Sequence, residues 1–171
     1  MTRLRCAILD DYFNVTLKIA DWSKIADRVD VTVFNQPFAS SEAAVGALKD
    51  FEIICVMRER TPFPRTLLAA LPKLKLLITS GMRNASIDSE AAKEQGVVFC
   101  GTQWNRDPTA ALTMGLILEL TRSIGRENAR MHAGERLQKF VGLEIEGRTL
   151  GVIGLGKLGS KVAKQIGRAH V

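Results

Sequence analysis

Three glycines spaced as Gly154-Leu155-Gly156-Lys157-Leu158-Gly159 are the residues of this sequence best suited to a defined chemistry. Glycine at the first position permits a tight turn, at the second it lets the backbone approach a pyrophosphate, and at the third it lets a helix pack closely on the preceding strand. The free N–H groups at the start of that helix then face the diphosphate. The setting agrees: residues 149–154 (TLGVIG) read as a strand and residues 160–165 (SKVAKQ) as a helix. A glycine-rich turn in some other βα unit is the competing reading, and the order strand, glycines, helix favours a dinucleotide site. The acidic residue that separates NAD from NADP is expected about 20 residues after the first glycine, a position past Val171.

A second group of reactive residues follows three strand-like runs. Asp10-Asp11-Tyr12 follows the first, Arg58-Glu59-Arg60-Thr61 the third and Ser80-Gly81-Met82-Arg83-Asn84 the fourth. Ligands of open α/β sheets bind beyond the carboxyl ends of the strands. Arginines on two neighbouring loops, beside a glycine that exposes backbone N–H groups, suit a small carboxylate. Solvated loop arginines are the competing reading. The paired aspartates suggest a phosphoacceptor domain, but Cys55 and Met57 stand on the third strand where that chemistry needs an aspartate.

The elements that would position these residues recur with a regular beat. Strand-like runs begin at Arg5, Val29, Glu52, Leu74 and Val97, separated by 24, 23, 22 and 23 residues. Helix-like segments lie between them at 17–27, 41–49, 65–71 and 88–95, with Ser41 as an N-cap and Gly96 as a C-terminal stop. Strands alternating with helices imply a parallel sheet covered on both faces. Residues 1–100 therefore read as a five-stranded, flavodoxin-like α/β domain. Residues 101–165 read as a long helix opened by Asp107-Pro108 and then the start of a Rossmann dinucleotide-binding domain. The first three turns of that helix, apolar from Ala110 to Leu120, should be buried between layers or subunits, and the stripe continues through Ile124 and Ala129.

Composition narrows the function classes. Of 171 residues 46% are hydrophobic and 25% charged, the balance of a globular chain. The 24 basic and 18 acidic residues leave a net charge of +6, yet no basic run of five appears and aromatics are 6%, so nucleic acid is not an expected partner. No stretch is long enough to span a bilayer or to serve as a signal-peptide core, and the chain reads as cytoplasmic. Cys6, Cys55 and Cys100 read as inert buried thiols, and no metal site is expected. Ile166–Val171 resembles the translation of a sequencing adapter, which makes the last six residues an expected artefactual tail and the chain an expected first part of a longer one.

Residues 71–102 (LPKLKLLITSGMRNASIDSEAAKEQGVVFCGT), 107–135 (DPTAALTMGLILELTRSIGRENARMHAGE) and 143–164 (LEIEGRTLGVIGLGKLGSKVAK) together resemble the D-isomer-specific 2-hydroxyacid dehydrogenases. The resemblance implies a flavodoxin-like substrate domain, an inserted Rossmann domain, and a homodimer formed through the long helix. It implies NAD or NADP as cofactor, a small 2-hydroxy or 2-oxo acid as substrate, and hydride transfer between them at a CH–OH group. It matches Arg58 to the family's arginine after the third strand, and Ser80, Gly81 and Met82 to the loop whose backbone holds the substrate carboxylate. Gly154, Leu155, Gly156, Lys157, Leu158 and Gly159 match the phosphate loop. The family's catalytic arginine, glutamate and histidine lie after that loop, so no catalytic residue is expected within this chain and the 171 residues alone are expected to be inactive. His132 and His170 are not candidates. A cofactor-sensing, corepressor-like binding protein on the same fold is the alternative. Residues 81–88 read GMRNASID where many members carry a second glycine and an Asp-Asn pair, which leaves the acid unspecified.

Overall fold

The computed structural model describes residues 2–103, 105 and 107–166. Two compact units divide the chain, Met1–Trp104 and Asn105–Val171. The reading of a foreign tail falls, from residue 167 onward, outside the described residues.

In the first unit the five runs rich in β-branched and apolar residues become β1 (Leu4–Ile8), β2 (Val29–Val33), β3 (Ile53–Val56), β4 (Leu76–Thr79) and β5 (Val98–Gly101). All pairs are parallel and the order is β2-β1-β3-β4-β5, the doubly wound order anticipated for a flavodoxin-like sheet. Because side chains alternate across a strand, Ala7, Leu9, Ile54, Val56 and Leu77 share one face. That face is sealed by α2 (Ser41–Leu48), α3 (Arg65–Ala69) and α4 (Ser89–Glu94) through Leu48, Leu67, Leu68, Ala91 and Ala92. Phe63, fully buried, plugs the carboxyl end of this core.

Several local expectations are corrected. Residues 17–27 form a short α1 (Thr16–Ile19) and a 3-10 turn (Trp22–Ile25), neither with a buried residue, in place of one helix. The N-cap of α2 is Ser40, whose hydroxyl accepts from the Ala43 N–H, and not Ser41. Within the first unit α2, α3 and α4 cover one face of the sheet; on the other, Cys6 and Ile8 are buried, Cys55 and Ile78 are half-buried, and Val98 and Cys100 are exposed. Cys100 is thus not a core thiol, because β5 is an edge strand. Cys6 is: the adjoining Cys55 side chain and burial together push its thiol far above the usual range, which leaves it unreactive.

The second unit holds α5 (Asp107–Arg122), α6 (Ile124–His132) and α7 (Gly159–Gln165). The expected long helix is broken at Ser123, which adopts a left-handed conformation with φ 52°. The apolar turns of α5 are largely uncovered, with Ala110 buried but Leu112, Leu116 and Leu120 exposed. Residues 149–154 form no strand. A strand needs a neighbour for its backbone groups, and none of the described residues of this unit provides one.

Phe63→Ala removes a ring with no solvent exposure and should lower stability by about 3–5 kcal/mol, read as a reduced urea midpoint.

Candidate active site

At the carboxyl end of β3 the chain turns back through Arg58 in a left-handed conformation, φ 53°. For a residue with a side chain that costs roughly 1–2 kcal/mol, so its surroundings must hold it there. They do so from both sides. The Arg58 N–H donates to Ser80 Oγ at 3.0 Å, and the Arg58 carbonyl accepts from Asn84 Nδ2 at 2.6 Å. Further along the same loops the Phe63 N–H donates to the Ser86 carbonyl at 2.8 Å and the Asp88 N–H to the Phe63 carbonyl at 3.0 Å. The β3–α3 and β4–α4 loops are therefore one hydrogen-bonded body.

Gly81 lies against the Arg58 side chain. A Cβ placed on it would stand 2.2 Å from Arg58 Nη1, and its φ of 95° excludes most side chains independently. The guanidinium thus rests on a bare stretch of backbone and is about half exposed, with Glu59 at 3.6 Å as an ion partner. The Gly81 N–H does not face solvent as the sequence suggested, since it donates to Thr102 Oγ1 at 3.1 Å. Next along the chain, the Met82 N–H has no hydrogen-bond partner among the described residues. From the far side Gly101 supports this loop so closely that a Cβ there would meet the Gly81 carbonyl at 2.4 Å.

The two arginines after β3 are not equivalent. Arg60 donates to the Asp10 carbonyl at 2.9 Å, and its guanidinium lies 4.8 Å from the centroid of the Tyr12 ring. The Asp10 carboxylate is buried and accepts from Thr61 Oγ1 at 2.9 Å and from the Tyr12 hydroxyl at 3.0 Å. Asp11 caps α1: its carboxylate accepts from the N–H groups of Thr16 and Val15, and the Thr16 bond above all holds its pKa below the usual carboxylate range. These groups are spent on structure, which leaves Arg58, of the two arginines after β3, with room for an acid, beside the exposed Arg83 of the β4 loop. Sequence reasoning missed Asn84, Gly101 and Thr102 as parts of this arrangement. A glycine ending a strand is a signal of close backbone approach and could have drawn attention to Gly101; Asn84 was named with its loop but given no role, and nothing marked Thr102.

In the second unit the glycine loop sorts into structural and open positions. Gly154 carries the left-handed turn, φ 89°. Gly159 packs so tightly that a Cβ would lie 2.2 Å from the Gly154 carbonyl oxygen and 3.3 Å from Val152. Gly156 faces open space, with nothing within 4 Å of where its Cβ would be. Among the described residues the N–H groups of Gly156, Lys157, Leu158 and Gly159 donate to nothing, while the Gly156 carbonyl accepts from the Ser160 N–H at 2.9 Å. Four free donors around a bare backbone position suit the oxygens of a diphosphate.

A family model described as the D-isomer specific 2-hydroxyacid dehydrogenase NAD binding domain matches residues 114–170. The D-3-phosphoglycerate dehydrogenase of Methanocaldococcus jannaschii is 36% identical over 128 residues, 74% of this chain and 24% of that protein. The chain belongs to the D-isomer specific 2-hydroxyacid dehydrogenase family. The hydroxypyruvate reductase of Thermotoga maritima is 34% identical over 114 residues, 66% of this chain and 37% of that one. A phosphoglycerate oxidoreductase from Vibrio cholerae, known from its crystal structure, is 35% identical with a TM-score of 0.85, over 95% of this chain and 52% of that one. The chain thus spans about half the length of that solved structure and less of the curated relatives. Family membership brings an NAD-binding domain and agrees with the open loop around Gly156. Among the described residues no cluster of three or more His, Cys, Asp or Glu is arranged to hold a metal, and no helix is long and apolar enough to cross a membrane.

The two kinds of glycine separate experimentally without any ligand. Gly159→Ala should lower the melting temperature by about 3–10 °C because its methyl strikes backbone, whereas Gly156→Ala should leave it within about 2 °C; thermal melts followed by circular dichroism read both.

Proposed function

We propose that this chain supplies the acid-binding and dinucleotide-binding parts of an NAD(P)-linked oxidoreductase that interconverts a small 2-hydroxy acid and its 2-oxo acid. The observation that carries this reading is the open position at Gly156, in a run of four backbone N–H groups, 156–159, without partners among the described residues. Gly154, Leu155, Gly156, Lys157, Leu158 and Gly159 form the phosphate loop. When bound there, the nicotinamide cofactor supplies the hydride acceptor for oxidation of the hydroxyl carbon and the donor for the reverse direction.

In the first unit Arg58 binds the acid's carboxylate as a charge-assisted pair, and the Met82 N–H supplies a second donor. Gly81 keeps the space between them clear, and Ser80 fixes Arg58 through its N–H. These contacts orient the acid. Among the described residues no side chain is assigned the hydroxyl proton, so the roles given to this chain are binding and orientation. The whole protein is proposed to pair with a second copy, a reading supported by the exposed leucines of α5.

Two outcomes check this reading in the whole protein. Arg58→Ala should raise KM for the reducible 2-oxo acid about tenfold or more, with KM for the cofactor unchanged; equal rises in both would deny a carboxylate role. Gly156→Val fills the open position and should weaken nicotinamide binding at least tenfold in a fluorescence titration while the circular dichroism spectrum is retained.

A further inference from the structure

Asn84 is buried and its amide is fully used. Its Oδ1 accepts from the Ser86 N–H at 3.0 Å and from the Ser86 hydroxyl at 2.7 Å. Its Nδ2 donates to the Arg58 carbonyl at 2.6 Å and to Thr79 Oγ1 at 3.0 Å. The orientation is forced, since a backbone N–H can meet nothing but the oxygen and a backbone carbonyl nothing but the nitrogen. One side chain therefore joins the end of β4, the β4–α4 loop and the backbone of Arg58.

The link to Arg58 falls where it matters. A left-handed residue with a side chain relaxes toward an ordinary conformation unless its flanking peptide groups are held. Ser80 holds the N–H of Arg58 and Asn84 holds its carbonyl. If the second tie is cut, the φ of Arg58 is free to change, and the guanidinium leaves its place over Gly81. An exposed arginine would then have to be ordered by the incoming acid itself, at a cost in affinity.

We propose that Asn84 is a positioning residue that sets acid affinity by fixing the carbonyl of Arg58. The proposal rests on the reading of Arg58 as the carboxylate cation. Asn84→Asp is the sharpest probe. It keeps an acceptor for Ser86, removes the donor to Arg58, and sets a carboxylate oxygen against the Arg58 carbonyl. Asn84→Ala removes the same donor without burying a charge, and serves if the aspartate variant does not fold.

The test uses the whole protein with NADH and NADPH and a panel of glyoxylate, pyruvate, hydroxypyruvate and oxaloacetate, taking the acid reduced fastest. Both Asn84 variants should raise KM for that acid about fivefold or more and leave KM for the cofactor unchanged. In an Arg58→Ala background the same Asn84 changes should have no further effect on the acid's KM, because what they disturb is already gone. An equal fold-change in both backgrounds would show that Asn84 supports the loop generally and would overturn the proposal. So would an unchanged acid KM in the Asn84 variants when Arg58→Ala raises it. An acid KM unmoved by Arg58→Ala, or no reduction of any panel member, would instead overturn the proposed function and this role with it.

Discussion

The left-handed reversal at Arg58 is the constraint on which the acid edge of this molecule depends. Its cost is roughly 1–2 kcal/mol, comparable to what one or two hydrogen bonds return, so neither Ser80 nor Asn84 alone offsets it comfortably. The remaining features follow from keeping that turn in place. Gly81 has no side chain because its φ of 95° disfavours one, and Gly101 has none because the Gly81 carbonyl occupies its volume. Thr102 takes the Gly81 N–H as donor, and the bridge between Phe63 and Ile87 joins the two loops further along. Phe63 also closes the apolar core, so packing and site geometry share a residue.

Within the second unit the same economy of glycine recurs with a different division of labour. Gly154 and Gly159 serve the backbone itself, one by a positive φ and the other by close approach, whereas nothing stands within 4 Å of where a Gly156 Cβ would be. A bare position that the fold does not need, beside N–H groups that the fold does not use, is where a ligand's atoms are anticipated. α7 adds little to that by its own length. The donors come from the turn that leads into it, residues 156–158, and from its first residue, Gly159.

The sheet could be read from the sequence because its signal is strong and local: five apolar runs at nearly constant spacing, each matched by an observed parallel strand. The helices between them were less legible. Residues 17–27 have a helix-like composition but bury nothing, so no tertiary packing extends α1 beyond one turn. The break at Ser123 lies within an amphipathic pattern that runs unbroken on either side, and a pattern of side chains cannot report a backbone reversal. Residues 149–154 have the composition of a strand, but a strand is a property of two chain segments. At the acid edge residue type and position drew attention to the loop arginines and to Gly81, and the family resemblance picked Arg58 from among them. Asn84 could not, because its part depends on three partners at positions 58, 79 and 86 that meet only in the folded chain.

On the proposed reading the β3 and β4 loops make a carboxylate site in which Arg58 is the cation. It is tested most directly by a crystal structure of the whole protein with oxalate, a non-reacting stand-in for the acid, and the nicotinamide cofactor. One carboxylate of oxalate should lie about 2.7–3.2 Å from both the Arg58 guanidinium and the Met82 N–H, with Arg58 still left-handed over Gly81. Oxalate bound away from these two groups, with Arg58 still paired to Glu59, would contradict it.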